Sequence, residues 1–307
     1  MPITIITDSA SDIEQGELHN VRVLPMTVTI DGVPYSDGVD ITKDEFYRLQ
    51  KGSDTIPVSS LISPFQFQEA FDEVESAGEE AIVITISSEL SGTYQSAKAV
   101  AEGRDGISVI DSLQVSGAQK LLVLRALQLT LLGLSRDEIV RELEEEKQRI
   151  VIFAAVDTME YLAKGGRVSR TSGFIGNMVG IKPIVTLDGG KLIAAGKAHG
   201  SKKSHAFLSQ KIEELGGIDY TMPYAVGYSG TDRKSLQKYL DSNQEILNSA
   251  PHSPDIVQIG SAVGTHCGSG AVLVTFFRKA ALPDVRLARG GRKQRSSKPK
   301  PKRSDAA

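Results

Sequence analysis

Short apolar runs and helix-periodic stretches alternate along the first half of the chain. The β-branched run from Ile82 to Ile86 predicts a buried strand, and Gln95 to Ala101 predicts the start of a helix. A second pair of this kind follows, with a strand over Ile107 to Ile110 and a long apolar helix over Val115 to Leu132. We therefore expect an α/β domain over residues 1–157, in which helices flank a mostly parallel sheet.

The second half keeps the helices but changes the strand pattern. Asp188-Gly189-Gly190 separates two apolar runs and predicts a β-hairpin. A helical pattern from Ser204 to Leu215 is followed by strand-like runs over Asp255 to Ala262 and Ala271 to Phe277. This half is therefore predicted to be a second α/β domain, residues 158–285, with a mixed or antiparallel sheet and helices.

Two helix starts carry their own capping signals. Thr42 and Glu45 have the spacing of a capping box. Ser63 followed by Pro64 predicts another start, because the fixed φ angle of proline suits the first helical turn. Ser59, just before this second start, is expected in a loop.

The composition is that of a globular chain, with 40% apolar and 24% charged residues. The single cysteine, Cys267, excludes an intrachain disulfide and a thiolate cluster. The first residues contain no basic residue, so they do not have the positively charged start that is typical of a secretory signal peptide. The most apolar stretch, Leu121 to Leu132, is too short to cross a bilayer. We expect a cytoplasmic protein with no integral membrane segment.

The net charge of −3 conceals an uneven distribution. Residues 286–307 hold nine Lys and Arg against one Asp, a net charge of +8, so the body before them carries −11. This basic tail has no apolar periodicity, and we expect it to be disordered. It is suited to non-specific contact with anionic surfaces or nucleic acid, and equally to a solubilising role. The acidic body argues against a nucleic-acid-binding fold.

A hydroxyl-rich turn joins the Ile82 strand to its helix. It contains Ser88, Ser91, Gly92 and Thr93, and it has no Lys or Arg. The first N–H groups of a helix lack internal partners and lie at the positive end of the helix dipole, so such a turn can hold a small anionic group through hydrogen bonds. An ordinary serine-capped turn between strand and helix is the equally weighted alternative.

His266 is the second candidate functional residue. It follows Thr265 in the glycine-rich segment from Gly264 to Gly270, which is expected to form a turn before a buried strand. A lone histidine is more often structural than functional, and this alternative stays open.

Ser91, His266 and either Asp8 or Asp111 would have the side chains of a hydrolase triad. The sequence shows neither a nucleophile elbow nor an oxyanion motif. An acyl hydrolase is therefore the less favoured interpretation. For Asp8, hydrogen bonds to the backbone of its own turn are the favoured role.

Several motifs, taken in order, resemble the DegV family of bacterial fatty-acid-binding proteins. The resemblance covers residues 3 to about 278 and therefore nearly the whole body. The matching segments are TDSASD (Thr7 to Asp12), SSLISP (Ser59 to Pro64), ISSELSGTYQSA (Ile86 to Ala97), Asp111-Ser112, EYLAKGGRVS (Glu160 to Ser169), GIKPIV (Gly180 to Val185) and GSAVGTHCGSGA (Gly260 to Ala271).

This resemblance implies two α/β domains and one bound long-chain fatty acid, with no catalytic machinery and no other cofactor. It also implies a partner, a fatty acid kinase that phosphorylates the presented carboxylate for phospholipid synthesis. The carboxylate ligands would be Ser59, Ser91 and His266. The supporting residues would be Ser88, Gly92, Thr93 and Thr265.

The chain departs from the family pattern at three places. Ser59 to Pro64 reads SSLISP where the family usually has TSQPSP, so its glutamine and first proline are lost. Ser269 replaces a usual proline. The basic turn before the helix of the second domain, His199 to Lys203, lacks arginine, so docking to a kinase is expected to differ.

The segment after the GGRVS motif is the candidate wall for the acyl chain. It is apolar and contains two glycines that leave space, Gly176 and Gly180. A plain core segment would have the same composition, and the sequence does not separate the two. The predicted lining residues are Phe174, Ile175, Met178 and Ile181.

Overall fold

A computed structural model describes residues 1–168, 180–244 and 250–279 of the 307-residue chain. The predicted lining residues Phe174, Ile175 and Met178 lie outside the described residues, as does the basic tail from residue 286. Among the helices of the described ranges, none is both long and apolar enough to cross a membrane.

The first half contains a four-stranded parallel sheet, as predicted. Its strands are β1 (Ile3–Asp8), β2 (Val21–Leu24), β6 (Glu80–Thr85) and β7 (Ile107–Asp111), in the order β2-β1-β6-β7. The alternation of side chains along β6 points Ile82 and Ile84 to one face and Ala81 and Val83 to the other. Both faces are therefore apolar and must be covered by helices.

Helices cover this sheet on both sides, which confirms the predicted architecture. Those of the first half are α1 (Lys43–Gly52), α2 (Pro64–Ser76), α3 (Thr93–Ala101), α4 (Gly117–Leu131) and α5 (Arg136–Glu146). Helices α2 and α3 pack on one face, and α4 and α5 on the other. The predicted capping box begins α1, where Thr42 accepts from the Glu45 N–H, and α2 begins at the predicted Ser63-Pro64 start, where Ser63 accepts from the Gln66 N–H.

A small antiparallel sheet with strand order β4-β3-β5 lies beside the parallel one. Its strands are β3 (Thr27–Ile30), β4 (Val33–Ser36) and β5 (Val58–Ser60). The prediction that Ser59 lies in a loop is wrong, because Ser59 pairs with the fully buried Val28 of β3. A three-residue strand is too short to show a period of two in the sequence.

The second half is organised on one six-stranded mixed sheet. Its strands are β8 (Ile150–Ala155), β9 (Ile181–Asp188), β10 (Lys191–His199), β11 (Tyr224–Tyr228), β12 (Asp255–Gln258) and β13 (Val272–Phe277), in the order β10-β9-β8-β13-β11-β12. Only β11 and β12 pair in parallel, and the predicted hairpin joins β9 and β10. Strand β8 belongs to this sheet although it lies before residue 157, where the first domain was predicted to end. The predicted domain boundary stays a prediction.

The described residues of the second half contain the helices α6 (Glu160–Lys164), α7 (Gly200–Glu214), α8 (Lys234–Ser242) and α9 (Ser261–Cys267). The sequence did not indicate α9. The predicted strand from Asp255 ends at Gln258, and most of the predicted Gly264 turn is α9. Gly264 lies inside this helix and has no side chain, and a Cβ there would collide with the rings of Phe46 and Tyr47 in α1.

Side chains of the first half cap the N-terminus of α9. The buried Asp37 accepts hydrogen bonds from the N–H groups of Ser261 and Ala262, both at 3.1 Å, and from the Ser261 hydroxyl. The buried Asp12 accepts from the Gly260 N–H at 2.8 Å. These N–H groups have no partner within the helix, so the two carboxylates satisfy them and oppose the positive end of the helix dipole.

We expect Asp37→Ala to lower the free energy of unfolding by about 2–4 kcal/mol, because it leaves buried N–H groups without an acceptor. Urea unfolding followed by circular dichroism measures this loss. Asp40→Ala is the matched control, since Asp40 lies in the same loop but is exposed and accepts from the Ser36 N–H at 3.0 Å. Equal stability of the two variants would contradict the assigned role of Asp37.

Candidate functional site

A cavity of about 470 Å³ lies between the two main sheets, and its wall is predominantly apolar. Strand β8 contributes Ile152 and Ala154, and Val156, the residue just after its end, continues the steps of two. Helix α9 and the β5 region form another wall, with Ala262, Val263 and Leu61. An apolar space of this size with few polar groups is typical of a site for a hydrophobic small molecule.

Ser59 and His266 form the main polar pair on the wall of this cavity. The Ser59 hydroxyl lies 2.8 Å from Nε2 of His266 and makes a hydrogen bond with it. Strand β5 positions Ser59, and the last turn of α9 positions His266. Nδ1 on the other side of the ring is buried and has no hydrogen-bond partner among the residues that the structure describes.

The imidazole ring packs against the end of α6. A Cβ at Gly165 would collide with Nδ1 of His266 and lie 3.0 Å from its Cε1. Gly165 has an ordinary helical φ of −71°, so its missing side chain matters for space and not for backbone freedom. The first glycine of the GGR motif therefore makes room for the ring.

Burial and charge both favour the neutral form of His266. Desolvation, followed by the nearby positive charge of Arg167, lowers its pKa from 6.5 to about 4. The ring is therefore uncharged at neutral pH and can serve as a hydrogen-bonding group there.

Ser91 lies on the same cavity wall with Gly92. Its hydroxyl is 2.9 Å from the Thr93 hydroxyl and accepts from the Thr93 N–H at 3.2 Å. The Thr93 hydroxyl in turn accepts from the Ile62 N–H at 3.3 Å, which ties this turn to the segment after Ser59. The predicted Ser91 turn and the Ser59 segment are thus joined beside the cavity.

The other predicted site residues have different positions. Ser88 uses its N–H to donate to the Asp111 carboxylate at 3.1 Å, and Thr265 donates to the Ser261 carbonyl within α9 at 2.9 Å. Neither residue lines the cavity, and Ile181, at the start of β9 opposite His199, does not line it either. The predicted roles of these residues stay predictions.

The two aspartates considered for a triad are occupied elsewhere. Asp8 accepts from the N–H groups of Ile86 at 2.7 Å and Ala10 at 3.1 Å, and burial raises its pKa to about 6. Asp111 accepts from the N–H groups of Ser88 and Leu113. Within the described ranges, neither carboxylate is hydrogen-bonded to His266, so the histidine has no carboxylate to orient it.

Arg167 was not singled out in the sequence, although it lies in the GGRVS motif. It lines the cavity, and its side chain donates to the carbonyls of Gly165 at 2.5 Å and Leu90 at 3.4 Å. The strand residues Ala154, Val185 and Leu192 were also missed as lining residues. Only the apolar period along their strands could have indicated them, and it does not show which partner covers that face.

No group of three or more His, Cys, Asp or Glu side chains in the described parts of the chain is arranged to hold a metal ion. Among the described residues, the polar side chains that line the cavity carry hydroxyls, the neutral imidazole of His266, the guanidinium of Arg167 and the thiol of Cys267. Such groups can bind a carboxylate at one end of an apolar ligand.

The chain is similar to proteins of known sequence and structure. The chain is 35% identical over 283 residues to a DegV domain-containing protein of Caldanaerobacter subterraneus subsp. tengcongensis, with 90% of this chain and 99% of that protein covered. A DegV family protein from Thermus thermophilus, described by its fatty acid binding, has a similar solved structure with a TM-score of 0.80 and 30% identity, covering 90% of this chain and 100% of that one.

The solved structure of a stearic acid-binding protein from Eubacterium ventriosum is also similar, with a TM-score of 0.79, 26% identity, and coverage of 91% of this chain and 99% of that one. The family model described as "Uncharacterised protein, DegV family" matches residues 2–279. The chain therefore belongs to the DegV family.

Proposed function

We propose that this protein binds one long-chain fatty acid, with the acyl chain buried in the 470 Å³ cavity and the carboxylate at Ser59, Ser91 and His266. The observation that carries the proposal is the Ser59–His266 pair, which places hydrogen-bonding groups on the wall of an otherwise apolar space. The similarity to proteins described as fatty-acid-binding supports it.

The energy of such binding would come mainly from the acyl chain. Transfer of ~14 methylene groups out of water at about 0.8 kcal/mol each is worth on the order of 10 kcal/mol. Association and ordering remove a large share of this gain. The polar groups then fix which end of the ligand faces His266 and do not need to supply most of the affinity.

The head-group site is suited to reversible binding. Ser59, Ser91 and neutral His266 contribute hydrogen bonds, and Arg167 contributes an exposed positive charge. An exposed charge pair is worth roughly 0–1 kcal/mol. A carboxylate held in this way can be presented to a second protein without breaking a buried ion pair.

The protein then acts as a non-catalytic carrier in the cytoplasm. It requires no cofactor and presents its bound acid to a fatty acid kinase for phospholipid synthesis. Two features support the absence of catalysis: the lowered pKa makes His266 a weak base, and no carboxylate among the described residues orients its ring. The basic segment from His199 into the first turn of α7 is the candidate contact for the kinase.

We expect His266→Ala and Ser91→Ala each to weaken fatty acid binding roughly 10-fold or more, because each removes a hydrogen bond to a charged carboxylate. Displacement of a fluorescent fatty acid measures the affinity, and mass spectrometry of organic extracts shows which acid the purified protein carries. His252→Ala and Ser242→Ala are matched controls, since both residues are exposed and neither lines the cavity.

Unchanged affinity in both site variants would reject the head-group assignment. Covalent labelling of Ser59 or Ser91 by a fluorophosphonate probe would instead support an acyl hydrolase. Wild-type protein that yields no fatty acid on extraction and takes up neither palmitate nor oleate would contradict the carrier function itself.

We expect Gly165→Ala to weaken fatty acid binding by a similar factor while the protein still folds. Its backbone conformation accepts alanine, but the added methyl group must displace the His266 ring. The same displacement assay measures this effect. Gly52→Ala serves as the control, because a Cβ at Gly52 meets nothing within 4 Å. Equal affinity in both glycine variants would show that the ring position does not matter for binding.

We expect the free energy of unfolding of the unliganded protein to depend on pH because His266 is buried in its neutral form. Its folded pKa of about 4 lies below the value of 6.5 for the free side chain, so between these pH values the unfolded chain binds the proton more readily. The contribution of His266 to stability is therefore complete above pH ~6.5 and declines as the pH falls to ~4, by about 3 kcal/mol.

Comparison of the wild type with His266→Gln isolates the contribution of His266 to the unfolding free energy. Asp8 and Asp12, whose pKa values are both raised to about 6, change stability in the opposite direction over pH 4 to 6 in either protein. The difference in unfolding free energy between wild type and variant should therefore shift against wild type as the pH falls. A difference that is constant from pH 7 to pH 4 would show that His266 is not buried as a neutral group.

A further inference from the structure

A second, smaller cavity of about 290 Å³ lies along the same boundary between the two halves of the protein. Thr186 of β9 borders both spaces. The second cavity combines an apolar part, near Leu113 and Ile150, with a polar part that contains Lys147 and Asp188. None of the proposed carboxylate ligands lines this second cavity.

Three segments of the chain line both cavities with neighbouring residues. On β8, Ile152 lines the first cavity, and Ile150 and Val151 line the second. On β9, the first cavity is lined by Val185 and the second by Leu187. The two spaces are therefore consecutive parts of one boundary between the sheets.

The connection between β7 and α4 shows the same passage. Its residues Val115 and Ser116 line the first cavity, and the preceding Leu113 and Gln114 line the second. The Gln114 side chain is buried, with its Nε2 3.5 Å from the Ile150 carbonyl, and its Oε1 has no hydrogen-bond partner within the described ranges. The lining therefore changes from the first cavity to the second at the same level on both sides of the boundary.

The proposed carboxylate site lies at the opposite end of the first cavity. His266 packs against α6, which follows the end of β8, whereas Ile152 lies four residues earlier than Val156. Four residues of a strand span about 13 Å, so an acyl chain that starts at His266 and follows β8 has its methyl end directed towards Ile152. This orientation rests on the proposed fatty acid function.

We propose that Ile152 sets the length of the acyl chain that this protein accepts. Ile152 is only 6% exposed, and as a β-branched residue in a strand it has a restricted side-chain conformation. It is the β8 side chain at which the first cavity ends. Removing it joins the first cavity to the apolar part of the second, beside Leu113 and Ile150.

The extension is limited by the polar part of the second cavity. The two-residue repeat from Ile152 to Ile150 corresponds to about 6.6 Å along the strand, which is room for several more methylene groups. Beyond it lie Lys147, Asp188 and Arg278, and burying an alkyl chain against these charged groups is unfavourable. The variant should therefore accept moderately longer acids and still exclude very long ones.

The test uses two variants of the full-length protein with opposite expected effects. Ile152→Ala should shift the preferred saturated acid towards longer chains, and Ala154→Leu, which adds bulk inside the first cavity, should shift it towards shorter ones. Affinities for a series from lauric to arachidic acid give the length profile of each variant. Each shift should change the ratio of long-chain to short-chain affinity at least threefold.

Ile184→Ala is the matched control. Ile184 is a fully buried isoleucine on the neighbouring strand β9, but its side chain packs in the core on the other side of the six-stranded sheet. It should lose stability without a change in the length profile. Ile152→Val provides a milder version of the main variant in case Ile152→Ala does not fold.

The possible results separate this proposal from the fatty acid function. A wild type that binds none of the acids overturns the function on which the proposal rests. A wild type that binds them, with Ile152 and Ala154 variants that keep its length profile, leaves the function intact and overturns the role of Ile152. A shift that also occurs in Ile184→Ala would assign the effect to general loosening of the core and would equally overturn it.

Discussion

The structure depends on the attachment of α9 to the first half of the protein. Asp37 and Asp12 accept hydrogen bonds from the N–H groups at the start of this helix, and Tyr47 donates to the Ile259 carbonyl just before it at 3.0 Å. A helix of seven residues has little stability of its own, so these buried contacts fix its position. Its last turn then brings His266 to Ser59, and its side forms one wall of the cavity.

The charges around the cavity favour binding over catalysis. A catalytic histidine needs a pKa near the working pH and a group that orients its ring. His266 has a pKa of about 4, and its Nδ1 has no partner among the described residues. The same neutral ring can still take part in a hydrogen bond with a ligand.

The cavity exists because two apolar surfaces meet without filling the space between them. Helix α4 packs against strands of both sheets and closes one part of the boundary, where Leu121, Leu122 and Ala126 are fully buried. Elsewhere along this boundary, residues of β8 and β9 face α9 across open space. Protein interiors are otherwise close-packed, so an apolar void of this size marks a place for a ligand.

The sequence by itself determined the two α/β halves, the parallel and mixed sheets, and the capped starts of α1 and α2, because periodicity and capping are local properties. It also singled out Ser59, Ser91 and His266, partly from their residue types and partly through the family resemblance. Only the tertiary structure decided that Ser59 belongs to a strand, that His266 belongs to a helix, and that β8 and β9 line the cavity. Those features arise from contacts between residues as far apart as Asp12 and Gly260, and local sequence patterns carry no signal of such pairings.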